Sequence, residues 1–176
     1  DPASVSRDEQ ARIVQIWEQV AEDFAPFDVD VTTADPGIEG LRRTRDSDPA
    51  FGVRVVVTSS DWYGPRTGTP IGGLALLNVF GASSDQPAFV FAGNLGGSAA
   101  YVAEAASHEA GHTFGLFHDG AGSSSYSTGH GDWAPIMGVG YGKAITQWSR
   151  GEYPSATNQQ DDLAAIVALG GLAPDD

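Results

Sequence analysis

The chain has 176 residues with a formal net charge of −14, 41% hydrophobic residues and no cysteine. That length sets one domain as the default, and the apolar content supports a buried core. The acidity argues against nucleic acid and anionic membrane as partners. The missing thiols exclude disulfides and thiolate metal sites. No run is long and apolar enough to span a bilayer. The sequence opens at Asp1 rather than Met, and we read it as a mature or trimmed form whose secretion signal and pro-segment have been removed.

Ser6 and Glu9 form a capping-box pattern, and Ile13, Ile16, Trp17, Val20 and Phe24 follow at helical spacing. This helix should stop before Pro26. Phe27, Val29 and Val31 alternate with Asp28, Asp30 and Thr32, which predicts a strand with one wet face. A Ca2+ site at Asp28, Asp30 and Asp35 is conceivable, but acids on a solvated strand edge are the commoner explanation and the one preferred. Residues 34–49 read as loop. Residues 53–58 are β-branched and apolar, as in a strand buried on both faces. Residues 59–73 form a Gly/Pro-rich loop, residues 74–80 a further strand, and residues 88–92 another. Gly96 and Gly97 break the chain, and Ser98 is placed to cap the next helix, whose many alanines suit close packing on a sheet.

Within that helix lies S-H-E-A-G-H-T-F-G-L-F-H-D, residues 107–119. Three of the four histidines of the chain fall here, as H-E-x-x-H-x-x-G-x-x-H. His108 and His112 are one helical turn apart and share a face. Two neutral imidazoles so placed can bind one Zn2+ at about 2.0–2.1 Å each. Gly115 tolerates the left-handed conformation of a helix C-terminal cap, after which His118 can return as third ligand. A fourth position stays open for water, as in catalytic rather than structural zinc sites. Glu109, beside the first ligand, can take a proton from that water. At average residue usage the five fixed positions arise by chance on the order of once in ten million start sites. An ordinary helix with incidental histidines is therefore the weaker explanation.

Residues 120–131 are Gly/Ser-rich and aperiodic, a long loop. The one methionine, Met137, sits in the Pro/Gly-bracketed run 134–141. Residues 145–153 suggest a short turn or helix, and Asp161 and Asp162 precede a final amphipathic helix that Gly170 and Gly171 end.

The extended histidine motif followed by a methionine turn resembles the metzincin clan of zinc peptidases. The order of elements resembles that clan's catalytic domain over almost the whole chain. The resemblance implies an α+β fold: a mixed, mostly parallel, twisted sheet of about four or five strands with an active-site helix, then a small C-terminal subdomain with the methionine turn and a terminal helix. The subdomains would be 1–118 and 119–176. The family's domain usually opens with a strand before the first helix; here only residues 1–5 precede it, so that strand is absent or lies upstream. Residues 73–80 would be the antiparallel edge strand above the cleft, to which an extended peptide could pair.

The resemblance further implies His108, His112 and His118 as ligands of one catalytic Zn2+, with Glu109 as general base and then proton donor to the leaving amine. Asp119 after the third histidine resembles the adamalysin/reprolysin group, although that group is normally disulfide-bonded and this chain cannot be. A hydrogen-bond acceptor behind the ligands is its preferred role, a solvated aspartate the alternative. Tyr141 lies four residues after Met137, where some metzincins place a tyrosine two residues after. Packing in the wall of the specificity pocket is preferred to an electrophilic role. His130 reads as a surface histidine. The function expected is a secreted, monomeric zinc endopeptidase acting on proteins or peptides. A zinc-holding module without turnover and a zinc amidohydrolase are the competing classes; the intact Glu109 speaks against the former, and a substrate panel separates the latter.

Overall fold

The computed structural model describes residues 5–174. The region preceding the first helix, where the family resemblance would call for another strand, lies largely outside them. The fold is α+β, with four α-helices among the described residues. Helix α1, Arg7–Phe24, starts on the capping box read from the sequence: Glu9 N–H donates to Ser6 Oγ at 3.2 Å and Ser6 N–H to Glu9 Oε2 at 2.8 Å. Its stripe turns Ile16, Val20 and Phe24 inward, whereas Ile13 and Trp17 stay substantially exposed. Trp17 instead ties the helix to the next segment, its Nε1–H donating to Val31 O at 2.6 Å.

Strand β1 is Val55–Thr58, and the short helix α2 is Gly64–Thr67. Strand β2 is Gly73–Leu74 and β3 is Ala88–Phe91. They form one sheet in the order β1-β3-β2, with β1 parallel and β2 antiparallel to β3. Strands β4, Trp133–Pro135, and β5, Ile145–Gln147, pair in parallel as a separate two-stranded sheet. The single sheet of four or five strands expected from the resemblance is therefore replaced by a three-stranded sheet and a detached pair.

Three physical causes account for the difference. Residues 27–32 keep the expected alternation, with Val29 and Val31 against the core, but form no strand. Among the described residues their only ladder-like partner is the segment near the other end of the chain, through a bridge between Phe27 and Leu172. The strand expected over 74–80 ends at Leu74 because the following backbone is claimed elsewhere. Asn78 N–H donates to His112 O at 3.0 Å and Phe80 N–H to Thr113 O at 2.9 Å, satisfying carbonyls at the end of the metal-motif helix. Asn78 takes positive φ, 58°, to make that turn. Finally, the turn or helix expected over 145–153 begins as β5. Strand β1 is also not fully buried: it is an edge strand of the β1-β3-β2 sheet, and Val57 is left 44% exposed although it pairs with the buried Val90.

Helix α3, Ala99–Thr113, carries the histidine motif across the covered face of the sheet. Ser98 caps it, accepting from Tyr101 N–H. Its alanines 103, 105, 106 and 110 are buried, so α1 and the sheet both approach closely. Helix α4, Asp162–Gly170, begins on Asp161, whose carboxylate accepts from Ala164 N–H at 2.9 Å. The larger core cluster gathers Phe24, Phe27, Phe114, Leu116, Ile136, Met137, Trp148 and Ile166 between α1, α3 and α4.

Candidate metal centre

The end of α3 decides where the third histidine goes. Gly115 has φ +89°, Leu116 N–H donates back to Gly111 O at 3.2 Å and Gly115 N–H to His112 O at 2.9 Å. This is a Schellman closure, and it reverses the chain within one turn. His118 thereby returns to the face that bears His108 and His112. One nitrogen from each ring lies within 4.8 Å of the others.

The rings are held by backbone. His108 Nδ1 faces Ile136 O at 2.8 Å and His112 Nδ1 faces Leu116 O at 2.7 Å. A carbonyl can only accept, so each Nδ1 carries the proton and each Nε2 presents a lone pair. His112 Nε2 and His118 Nε2 are 3.0 Å apart. Burial favours the neutral form of all three, and pushes His108 down to about 3. Neutral imidazoles with converging nitrogens, two of them with tautomers fixed by backbone carbonyls, are the donor set that a borderline divalent ion requires. The three-histidine group can therefore hold a metal ion.

Met137 is fully buried beneath α3: a Cβ at Gly111 would stand 2.6 Å from its Sδ. The same segment supplies Ile136 O to His108, and Met137 O accepts from Asp119 N–H at 2.8 Å. Thus the stretch around Met137 braces both His108 and Asp119. Asp119 is fully buried and accepts from Ser149 Oγ at 2.6 Å. It anchors the returning chain to the C-terminal part of the molecule and bonds to none of the three rings.

A cleft of about 610 Å³ opens over the histidines. Glu109 lines it, only 7% exposed, and burial alone pushes its carboxyl up to about 8. Gly73 of β2 lies directly opposite, where a Cβ would stand 2.5 Å from Glu109 Oε1. Tyr141 also lines the cleft, its ring 4.9 Å from that of Tyr101. Burial, then the charges of Glu104 and Glu109, push its phenol up to about 12, so it stays a neutral donor. His130 is exposed, beside Trp133, and is not part of the histidine group.

Two cleft residues escaped the sequence reading. Tyr126, inside the Gly/Ser-rich loop, places its ring 4.2 Å from that of His118 and its Oη 3.2 Å from His118 Nε2. Nothing local in an aperiodic loop marks such a contact. Glu104 is 7% exposed and lines the cleft one turn before His108. Its signal was visible as a lone acid in the alanine-rich face of α3. No protein-family model matches the chain, and no curated protein matches it.

Proposed function

We propose that this chain is a secreted, monomeric zinc endopeptidase of the metzincin type, cleaving proteins or peptides. The observation that carries the reading is a buried carboxyl, Glu109, beside three converging imidazoles in an open cleft. His108, His112 and His118 would hold the ion, and three neutral nitrogen ligands suit Zn2+ among the divalent metals. The bound ion supplies Lewis acidity and lowers the pKa of water to roughly 7.

The chain's own residues do the rest. Glu109, lining the cleft beside the three histidines, accepts the proton of the attacking water and passes it to the departing amine. The phenol of Tyr126, 3.2 Å from His118 Nε2, would be free to donate to a substrate oxygen once that nitrogen holds the ion. The edge of β2 at Gly73 and Leu74 borders the cleft, so an extended peptide can add to it through main-chain hydrogen bonds. Secretion accords with the acidic composition.

The test pairs metal content with hydrolysis of a peptide library, for the native protein and Glu109→Ala. We expect one zinc per chain in both, with hydrolysis in the variant reduced by at least about 10²-fold. Addition of 1,10-phenanthroline should abolish cleavage and zinc should restore it. Full activity in Glu109→Ala, or cleavage persisting without metal, would defeat the proposal.

A further inference from the structure

Glu104 stands out among the groups that the proposed chemistry does not use. It lies on α3 one turn, about 5.4 Å, before His108 and lines the same cleft. Its Oε1 accepts from Gly140 N–H at 2.5 Å. Its Oε2 has no hydrogen-bond partner among the described residues. Unlike the orphaned oxygens of Asp119 and Asp162, it is not sealed from solvent. Among the described residues no lysine or arginine lines the cleft, and none pairs with Glu104. Asp23 stands close enough to act on the Glu104 carboxyl, and Glu104 acts in turn on the Tyr141 phenol. The walls beside Glu104 are Ala105, Gly138, Val139 and the ring of Tyr141.

A nearly buried carboxyl with one bound oxygen and no cation beside it is costly to ionise, and burial pushes Glu104 up to about 7, so an arriving cation favours its charged form. A mostly apolar cleft with an acid in its lining and an aromatic ring in its wall suits a long aliphatic stem ending in a positive charge. The stem buries against the walls, the charge pairs with the free oxygen, and the Tyr141 face is within the same cleft for cation–π contact. We infer that Glu104 is the specificity-determining residue of this cleft and selects a peptide with lysine or arginine flanking the scissile bond. Its placement one turn from His108 puts the bound side chain next to the reacting carbonyl rather than at a remote position. The inference rests on the peptidase reading above.

The test uses the zinc-loaded full chain and blocked peptides, so that only a side chain can bring the cation. Cleavage-site profiling of the native protein should show arginine and lysine enriched at one fixed position beside the cut. Matched peptides with arginine or norleucine there give the selectivity, read as the ratio of their kcat/KM values. Glu104→Gln keeps an acceptor for Gly140 N–H while removing the charge, and should lower that ratio by at least about tenfold. A profile led by apolar or acidic residues overturns the inference and leaves the peptidase reading intact. So does a Glu104→Gln protein that loses activity on both peptides alike, because a purely structural role would leave the ratio unmoved. A zinc-loaded native protein that cleaves no peptide at all sinks both readings.

Discussion

Gly73→Ala isolates the placement of Glu109 from its chemistry. The new Cβ would stand 2.5 Å from Glu109 Oε1, 2.6 Å from its Cγ and 2.8 Å from its Cδ. Ordinary contact begins near 3.4 Å, so Oε1 must retreat by about 0.9 Å. The backbone of Glu109 cannot yield, because it lies in α3 beside His108 and the helix is pinned on both sides. The carboxylate must therefore swing out of line. A misplacement of about 1 Å costs on the order of 10²-fold in rate. Gly73 itself has no positive φ and keeps its pairing with Val90, so the strand tolerates alanine. We expect kcat to fall about 10²-fold with one zinc still bound per chain. The assay is steady-state peptide hydrolysis with metal analysis and thermal unfolding on the same samples. The double variant Gly73→Ala/Glu109→Ala supplies the internal check: with the carboxylate gone the crowding is relieved, so any Tm lost in Gly73→Ala should be recovered. A Gly73→Ala protein with more than half the native kcat would refute the reasoning, since the two residues could not then be this close during turnover.

Other perturbations read other parts of the molecule. Removing zinc from a sample held at about 100 times its dissociation constant should lower unfolding free energy by about 2.7 kcal/mol in denaturant titrations; His118→Ala should show no such zinc-dependent gain. Phe24 is 3% exposed and packs against Phe27, Phe114 and Trp148, so Phe24→Ala should cost about 3–5 kcal/mol in urea unfolding; a loss below 1 kcal/mol would mean that the α1–α3 contact is not part of the folded core. Asp162 is fully buried, and burial, with Asp119, Asp161 and Glu152 nearby, pushes its carboxyl up to about 7. Between about pH 4 and pH 7 the folded chain keeps a proton there that the unfolded chain has released, so its stabilising contribution is complete at low pH and declines as pH rises through that window. Asp162→Asn, which still accepts from Ser149 N–H, should flatten the decline; an unchanged pH slope would show that Asp162 is not the group responsible.

How much the sequence disclosed depended on how local each cause was. The ends of α1 and α3 were legible because Ser6, Glu9, Ser98 and Gly115 act on backbone within a few residues of themselves. The meeting of His108, His112 and His118 was legible for the same reason: one turn of helix and one glycine reversal generate it. The strands were read less well. Alternation at Val29 and Val31 reports which side is buried, not whether a neighbouring strand exists to complete a ladder. The early end of β2 depends on carbonyls of His112 and Thr113 that lie more than thirty positions away, and no local pattern encodes that competition. Tyr126 reaches His118 from a loop without periodicity, so only the fold shows it. Glu104 was different in kind. It was in plain view among alanines, and the physical question of what a lone acid does on a buried helical face would have singled it out.

The two Nδ1–carbonyl bonds that hold His108 and His112 have a thermodynamic corollary. Rings already locked in orientation surrender little rotational freedom when an ion arrives. Affinity is then governed by stripping the ion of its hydration shell, and not by ordering the polypeptide around it. Loading should accordingly resemble filling a rigid socket, with the amide framework of empty and filled protein nearly superimposable.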